Sequence, residues 1–202
     1  MRSATGRTPR VVVLGRTCLA TDVLSNALAD RGMLEAIVVE RPASGIDMLR
    51  ARIRRYGLVT VLGQLSFRLL VVPAQRWGSR HRIREILAIN GLRDARPSTV
   101  RYQVERADAP STIALLGRLD PDIVLLSGTR VLPAGALERL KAPVVNVHAG
   151  ITPRYRGVHG GYWALVEERP SDFGATIHIV DPGIDTGPVL AYVARRAAAI
   201  AS

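Results

Sequence analysis

Two short apolar runs flank a stretch of helical spacing near the start of the chain, and this arrangement restricts the fold strongly. Residues 11–14 are all valine or leucine and end at Gly15, which is typical of a strand buried in a parallel sheet. From 20 to 30 the apolar residues recur at helical spacing, and Gly32 then predicts the end of that helix. The run 34–39 predicts the next strand. A strand, a helix and a strand in this order indicate a Rossmann-like half unit.

The same pattern resumes in the second half of the chain. We predict helices at 111–118, 132–140 and 162–168, and strands at 123–126, 144–148, 175–180 and 189–193. In the last helix, Trp163 and Val166 are expected to face the core. The 202 residues are 48% hydrophobic, which suits one α/β domain with a sizeable core. The predicted architecture is a single domain over 1–202, with a Rossmann-like, mostly parallel sheet and flanking helices.

The stretch 44–110 departs from this pattern. Its spacing predicts two or three arginine-rich helices, at 46–56, 58–72 and 82–89. It is too short and too basic to bury a core alone, so we interpret it as a helical insertion rather than a separate domain.

Leu58 to Ala74 is rich in leucine and valine. A spanning helix needs about 20 predominantly apolar residues, and Arg68 near the centre is costly in a bilayer, so a buried or partner-facing helix is favoured. Arginines lie on both sides of the segment, at 50, 52, 54 and 55 and at 76, 80, 82 and 84. Peripheral membrane contact through 50–84 is therefore the alternative interpretation.

Charge and cysteine content set further limits. The net charge is +11, but the basic residues are almost all arginine and Lys141 is the only lysine. Such a bias reflects genome composition as readily as binding, so a nucleic-acid partner is not favoured. The single cysteine, Cys18, excludes an intramolecular disulfide and suits a reducing, cytoplasmic location. No histidine pair has metal-ligand spacing, and no metal site is predicted.

Asn146 and His148 are the first candidates for chemistry. They are two residues apart on a predicted strand, so their side chains point the same way, at the end of the strand where open α/β sheets bind ligands. An amide beside an imidazole can bind an oxyanion and move a proton at one carbonyl carbon. A strand-end hydrogen-bond cluster without catalysis is the alternative for this pair.

Asp185 strengthens the catalytic interpretation. It lies in the turn 182–188, which holds two glycines and two prolines and can bring a carboxylate close to an imidazole. His178 either orients Asp185 or fills a polar pocket, and Asp181 fits a turn residue before Pro182.

Two glycine-containing loops remain. The segment 15–20 lacks the spacing of the dinucleotide fingerprint and of the P-loop, which disfavours a nicotinamide dehydrogenase and a nucleoside triphosphatase. His159, in the loop 157–161, either closes over a substrate or simply precedes the next helix.

Four separated pieces of the chain resemble the formyltransferase fold family. They are Asn146-x-His148, the loop 153–157, Thr176-Ile177-His178 and the run 185–188. Members of that family use 10-formyltetrahydrofolate to formylate a primary amine. They include phosphoribosylglycinamide formyltransferase, methionyl-tRNA formyltransferase and amino-sugar N-formyltransferases. The resemblance covers about 120–190, extends to 11–42 and is absent over 44–110.

The resemblance implies roles for individual residues. Asn146, His148 and Asp185 take the catalytic positions and His178 the supporting one: the amide and the protonated imidazole stabilise the oxyanion, and the carboxylate assists proton removal. The implied folate pocket is formed by Thr129, Val131, Leu132, Val180, Asp181, Gly183 and Ile184. The amine substrate is expected near Gly15, Arg16 and His159.

The identity of the amine stays open at this stage. Gly15-Arg16-Thr17-Cys18 replaces the family's Gly-Ser-Asn-type phosphate loop, although Arg16 could still meet a phosphate, and Gly157-Val158-His159 resembles the glycinamide ribonucleotide enzymes. We expect a small amine, either glycinamide ribonucleotide or a nucleotide-linked amino sugar. The alternatives are a methionyl-tRNA formyltransferase-like activity, a formyltetrahydrofolate hydrolase, and a non-catalytic membrane- or RNA-associated scaffold. The chain ends about 17 residues after Asp185, which is a short C-terminus for the family it resembles.

Overall fold

The structure is a computed structural model that describes residues 7–42, 45–92 and 99–194, and for residues 46–48 and 51 it describes the backbone alone. Within these ranges seven strands form one sheet: β1 Val11–Gly15, β2 Leu34–Glu40, β3 Arg101–Val104, β4 Ile123–Ser127, β5 Val144–His148, β6 Gly174–Ile179 and β7 Val189–Ala194. Their order is β3-β2-β1-β4-β5-β6-β7. The pairs from β3 to β5 are parallel, and β6 and β7 join antiparallel. This sheet with its flanking helices confirms the predicted α/β fold.

The described helices are α1 Leu19–Ala29, α2 Gly45–Tyr56, α3 Leu58–Ser66, α4 Val72–Ile89, α5 Pro110–Leu119, α6 Ala134–Leu137 and α7 Gly160–Val166. A π-helical turn, Phe67–Val71, joins α3 to α4, and a short 3-10 turn lies at Pro170–Asp172.

The centre of the sheet is buried on both faces. Because side chains alternate along a strand, Val12 and Leu14 pack with Leu116 on one face, whereas Val11 and Val13 belong to clusters on the other. All four of these β1 side chains are at most 2% exposed, as their unbroken apolar run predicts.

The strand order reverses beside β1. The chain runs outward through β2 and β3 and then returns to β4 on the opposite side of β1. A reversal of this kind opens a crevice at the carboxyl ends of the two central strands. Gly15 lies at that edge, where an added Cβ would come 2.7 Å from the Ser127 carbonyl oxygen.

The structure corrects several predicted elements. Strand β3 was not predicted, because it has four residues and the side chains of Arg101, Tyr102 and Gln103 are exposed, which leaves no apolar alternation. The helix predicted at 132–140 is reduced to α6. The side chains of Trp163 and Val166 are about half exposed, and the buried residues of α7 are Gly160 and Ala164.

The predicted break between helices near Pro73 is also wrong. Pro73 lies at the start of α4, directly after the π-helical turn. The Val72 N–H bonds to the Phe67 carbonyl oxygen, a π-type hydrogen bond that continues the helix into the proline. The result is a helix of 32 residues, Leu58–Ile89.

The chain forms two compact units. Residues 7–41 and 99–194 form the unit that contains the sheet, and the helices within 45–92 form the other. By length and composition alone, Leu58–Ile89 is the one described helix that could cross a membrane, and 6% of its most apolar window is buried.

Candidate active site

A cavity of about 420 Å³ opens in the sheet unit at the carboxyl ends of β4 and β5. Its walls come from residues 126–132, at and after the end of β4, from 146–149 at the end of β5, and from the loop that follows β6. This is the edge at which the strand order reverses, so the fold itself creates the space.

Asn146 and His178 lie directly opposite each other on the antiparallel pair β5 and β6. The Asn146 amide Nδ2 donates to Asp185 Oδ1 at 3.1 Å and lies 3.2 Å from His178 Nε2. His178 Nδ1 donates to the Ile179 carbonyl oxygen at 2.8 Å, so its Nε2 is free to accept from the amide. Both amide hydrogens of Asn146 therefore have acceptors.

His148 is buried between two acceptor oxygens. Its Nε2 donates to the carbonyl oxygen of Tyr155 at 2.6 Å, and its Nδ1 lies 3.3 Å from Asp185 Oδ2. A carbonyl oxygen and a carboxylate can only accept, so a ring with protons on both nitrogens satisfies both neighbours. The arrangement is suited to holding a proton between the imidazole and the carboxylate.

The Asp185 carboxylate joins these groups. It accepts a hydrogen bond from the Gly157 N–H at 2.9 Å, and its Oδ1 lies 3.3 Å from His178 Nε2. Its backbone has a φ of 50°, a left-handed conformation that is uncommon for residues other than glycine. Such local strain is found at functional sites.

The backbone of the loop after β5 lies in close contact with His148. A Cβ added to Gly150 would lie 2.7 Å from His148 Nε2 and would also meet the Tyr155 carbonyl oxygen, and Gly160 has no more room. The Thr176 hydroxyl fixes the same loop, because it donates to the Gly150 carbonyl oxygen at 2.7 Å and accepts from the Thr152 N–H at 3.0 Å.

Tyr155 makes hydrogen bonds through both its backbone and its side chain. Its carbonyl oxygen faces His148, and its phenol donates to Glu167 Oε2 at 2.8 Å. Burial raises the pKa of the Tyr155 phenol, and the hydrogen bond to Glu167 raises the pKa further. Sequence reasoning missed the roles of Tyr155, Gly157 and Thr176, since the first two act through backbone groups that a side-chain pattern does not reveal.

The structure brings most of the predicted site residues together. The four polar residues Asn146, His148, His178 and Asp185 line the cavity, as do Thr129, Val131, Leu132, Val180, Asp181, Gly183 and Ile184. Gly15, Arg16 and His159 do not line it: Gly15 packs against Ser127, and the other two are exposed. Those three residues stay predictions for the amine side of the site.

A partly buried ion pair lies beside one wall of the cavity. Arg130 lines the cavity and pairs with Glu40, whose side chain is fully buried at the end of β2. The Ala107 N–H donates to Glu40 Oε1 at 3.3 Å, while Oε2 has no hydrogen-bond partner among the described residues. Neither residue was predicted, because their partnership joins strand ends that are far apart in sequence.

Known proteins resemble this chain in sequence and in fold. A family model described as formyl transferase matches residues 73–200. Methionyl-tRNA formyltransferase from Trichlorobacter lovleyi is 37% identical over 90 residues, which cover 44% of this chain and 28% of that protein. The chain thus matches less than a third of that relative's length.

Two solved structures share the fold. Phosphoribosylglycinamide formyltransferase from Streptococcus pneumoniae gives a TM-score of 0.56 at 18% identity, covering 94% of this chain and 84% of that one. The corresponding protein from Brucella melitensis gives a TM-score of 0.56 at 18% identity, covering 96% and 86%. At these identities the likeness shows the arrangement of strands and helices alone.

Proposed function

The chain belongs to the formyl transferase family, and from this membership we propose that it moves a formyl group from 10-formyltetrahydrofolate to a primary amine. The observation that carries the proposal is the convergence of Asn146, His148 and Asp185, which are linked through contacts of 3.1 and 3.3 Å at one end of the cavity. An amide and an imidazole can stabilise the oxyanion that forms during formyl transfer, and a carboxylate can take up the proton that leaves the amine.

The cavity fits the folate co-substrate in size and in chemistry. Its volume of about 420 Å³ lies in the range of small-molecule sites. Apolar side chains of Leu126, Val131, Val180 and Ile184 line it together with polar Thr129 and Asp181. A flat heterocycle with a polar edge needs that mixture. When bound, the co-substrate supplies an electrophilic formyl carbon.

The chain's own residues then have separate tasks. His148 donates a hydrogen bond to the formyl oxygen, where negative charge develops, after its Nδ1 turns away from Asp185, because both ring nitrogens face acceptors in this structure. Asn146 donates to the same oxygen after exchanging one of its two present contacts, and we expect the longer one, to His178, to give way. Asp185 accepts the proton that leaves the amine, directly or through water, and this proton passes to N10 of the folate as the bond between N10 and the formyl carbon breaks, which leaves tetrahydrofolate and the formylated amine.

We propose a small amine as the acceptor, either glycinamide ribonucleotide or a nucleotide-linked amino sugar. The loop Gly157-Val158-His159, which resembles that of the glycinamide ribonucleotide enzymes, supports such a substrate. A second candidate acceptor is methionyl-tRNA, because the sequence relative is named for that reaction. We expect the reaction in the cytoplasm, which suits the unpaired Cys18.

An acceptor panel tests the proposal. Purified protein is given 10-formyltetrahydrofolate with glycinamide ribonucleotide, a nucleotide-linked amino sugar, methionyl-tRNA or no amine, and both tetrahydrofolate and formylated product are measured. We expect amine-dependent product that is lost in Asn146→Ala. Release of formate without any amine would identify a hydrolase instead.

Calorimetry with 5-formyltetrahydrofolate separates binding from turnover. Saturable binding that weakens in Asn146→Ala/His148→Ala supports the folate site. A folded protein that binds no folate would contradict the proposal and favour a non-catalytic scaffold.

A further inference from the structure

The helix Leu58–Ile89, called here the exposed helix, carries many apolar side chains that face water. Among the described side chains of 45–92, Val61 is the only one that is buried. The large apolar side chains exposed on the exposed helix include Leu58, Val59, Leu62, Phe67, Leu69, Leu70, Val71 and Trp77. Exposed apolar side chains in such number on one helix mark an interaction site.

Arginines flank this apolar stretch at both ends. Between 58 and 75 the only charged residue is Arg68, whereas 50–55 holds four arginines and 76–84 holds four more. Nine arginines against Asp47 and Glu85 give 45–92 a charge of +7, most of the chain's +11. Arg76, Arg80 and Arg84 are exposed and, spaced four apart, share one face of the helix.

The charge pattern distinguishes between the partners that could cover this surface. A second copy of the chain would set the arginine clusters against clusters of the same sign. An RNA could meet the arginines, but its phosphates would leave Leu69 and Leu70 without apolar cover. An anionic bilayer offers phosphates to the arginines and hydrocarbon to the leucines. We infer that the exposed helix docks the protein onto an anionic lipid surface.

Arg68 indicates how the helix lies on the lipid. The stretch 58–75 would be about 27 Å long, close to the hydrocarbon thickness of about 30 Å. A spanning orientation would put Arg68 near the midplane, where a charge is costly. A helix in the plane of the interface lets Arg68 reach the headgroups while Leu69 and Leu70, each 71% exposed, enter the acyl region.

Vesicle flotation of the full chain tests the inference. The protein is mixed with vesicles of phosphatidylcholine alone or of phosphatidylcholine with phosphatidylglycerol, and the floating fraction is measured. We expect on the order of tenfold more binding to the anionic vesicles, with a decrease at high salt. Equal binding to both vesicles, or no flotation with either, would overturn the inference.

Paired variants separate the apolar and the charged contributions. Leu69→Ser/Leu70→Ser should abolish flotation, whereas Leu190→Ser/Val193→Ser, on exposed positions of β7, should leave it unchanged. Arg76→Gln/Arg80→Gln/Arg84→Gln should erase the preference for anionic vesicles. The control Arg118→Gln/Arg139→Gln/Arg169→Gln removes the same charge from exposed positions of the sheet unit and should retain the preference.

The two tryptophans provide a spectroscopic readout of insertion. With Trp163→Phe, the sole tryptophan is Trp77, which is 74% exposed, and its emission should shift to shorter wavelength when anionic vesicles are added. With Trp77→Phe, the remaining Trp163 should show no shift. An unchanged Trp77 spectrum would contradict insertion.

The competing partners are distinguished in the same preparations. Salt-sensitive RNA binding without vesicle binding would overturn the inference, as would a concentration-dependent dimer that Leu69→Ser/Leu70→Ser dissociates. None of these measurements requires turnover, so their failure and the failure of the proposed transferase activity are separate results.

Discussion

At the scale of single residues, Asp185 connects the other polar groups of the site. It accepts from Asn146 and Gly157 and lies 3.3 Å from a nitrogen of each of His148 and His178. We expect Asp185→Ala to lower kcat at least about a hundredfold, since proton transfer and the placement of both donors are lost together. The matched control is Glu138→Ala, which removes an exposed carboxylate from the same unit. Near-normal turnover in Asp185→Ala would contradict the catalytic role assigned to this residue.

The phenol of Tyr155 gives stability a pH dependence. Its pKa is raised by burial first and by Glu167 second, so the folded chain keeps this proton to a higher pH than the unfolded chain, whose phenol ionises near pH 10. The resulting stabilisation is complete below about pH 10 and is lost as the pH rises through the folded pKa.

Denaturant unfolding between neutral pH and pH 11 tests this effect. Tyr155→Phe should be less stable than the wild type at neutral pH, because it lacks the hydrogen bond to Glu167. The difference should shrink above about pH 10. Tyr162→Phe, at a position 60% exposed, should follow the wild type throughout, and a gap for Tyr155→Phe that stays constant with pH would refute the linkage.

Gly150 is required for close approach rather than for a turn. An added Cβ would be 2.7 Å from His148 Nε2, so Gly150→Ala must move the imidazole or the loop. We expect a loss of about 2 kcal/mol in the free energy of unfolding and a fall in kcat. Gly117→Ala is the control: it has no neighbour within 4 Å and lies in α5, where alanine should stabilise by up to about 1 kcal/mol.

At the scale of elements, the ends of two strands bring Glu40 and Arg130 together. Glu40 closes β2, and Arg130 follows β4 in the cavity wall. Arg130→Met leaves a buried carboxylate without its cation, and we expect a loss of about 2 kcal/mol in urea unfolding. Adding Glu40→Gln should recover part of that loss. Arg139→Met, at an exposed position, should change the stability by less than about 0.5 kcal/mol.

Sequence alone predicts the elements whose pattern of apolar residues reflects how deeply the element is buried. The strands β1 and β5 are short β-branched runs, and the sheet places Asn146 and His148 at the end of β5 as their spacing predicts. Strand β3 escaped prediction because an exposed edge strand needs no apolar alternation. The helix through Pro73 escaped it because the π-helical turn before the proline leaves no mark in the sequence.

The site was predictable to a similar extent. Side chains with distinctive chemistry, such as Asp185 in its glycine and proline turn, could be found from the sequence. The Tyr155 carbonyl oxygen and the Gly157 N–H could not, since any residue type supplies these backbone groups. Glu40 escaped as well, because its pairing with Arg130 depends on which strands become neighbours.

At the scale of the whole molecule, the cavity and the exposed helix belong to different units. Every residue that lines the cavity lies outside 45–92, while 45–92 holds the exposed helix and most of the net charge. The helical unit is inserted in the crossover between the parallel strands β2 and β3, and such a crossover needs about a dozen residues at least. We therefore expect that 45–92 can be replaced by about ten glycine and serine residues without disturbing the sheet.

This replacement tests the division of roles. We expect 5-formyltetrahydrofolate binding, measured by calorimetry, to stay within about threefold of the wild-type Kd, a change of less than 1 kcal/mol. Flotation with anionic vesicles should be lost, because the exposed helix is gone. The comparison is a longer replacement, extended through 104, which also removes β3 and should therefore unfold at a lower urea concentration. Loss of folate binding in the folded 45–92 replacement would mean that the helical unit contributes to the folate site, and the two roles would not be separable.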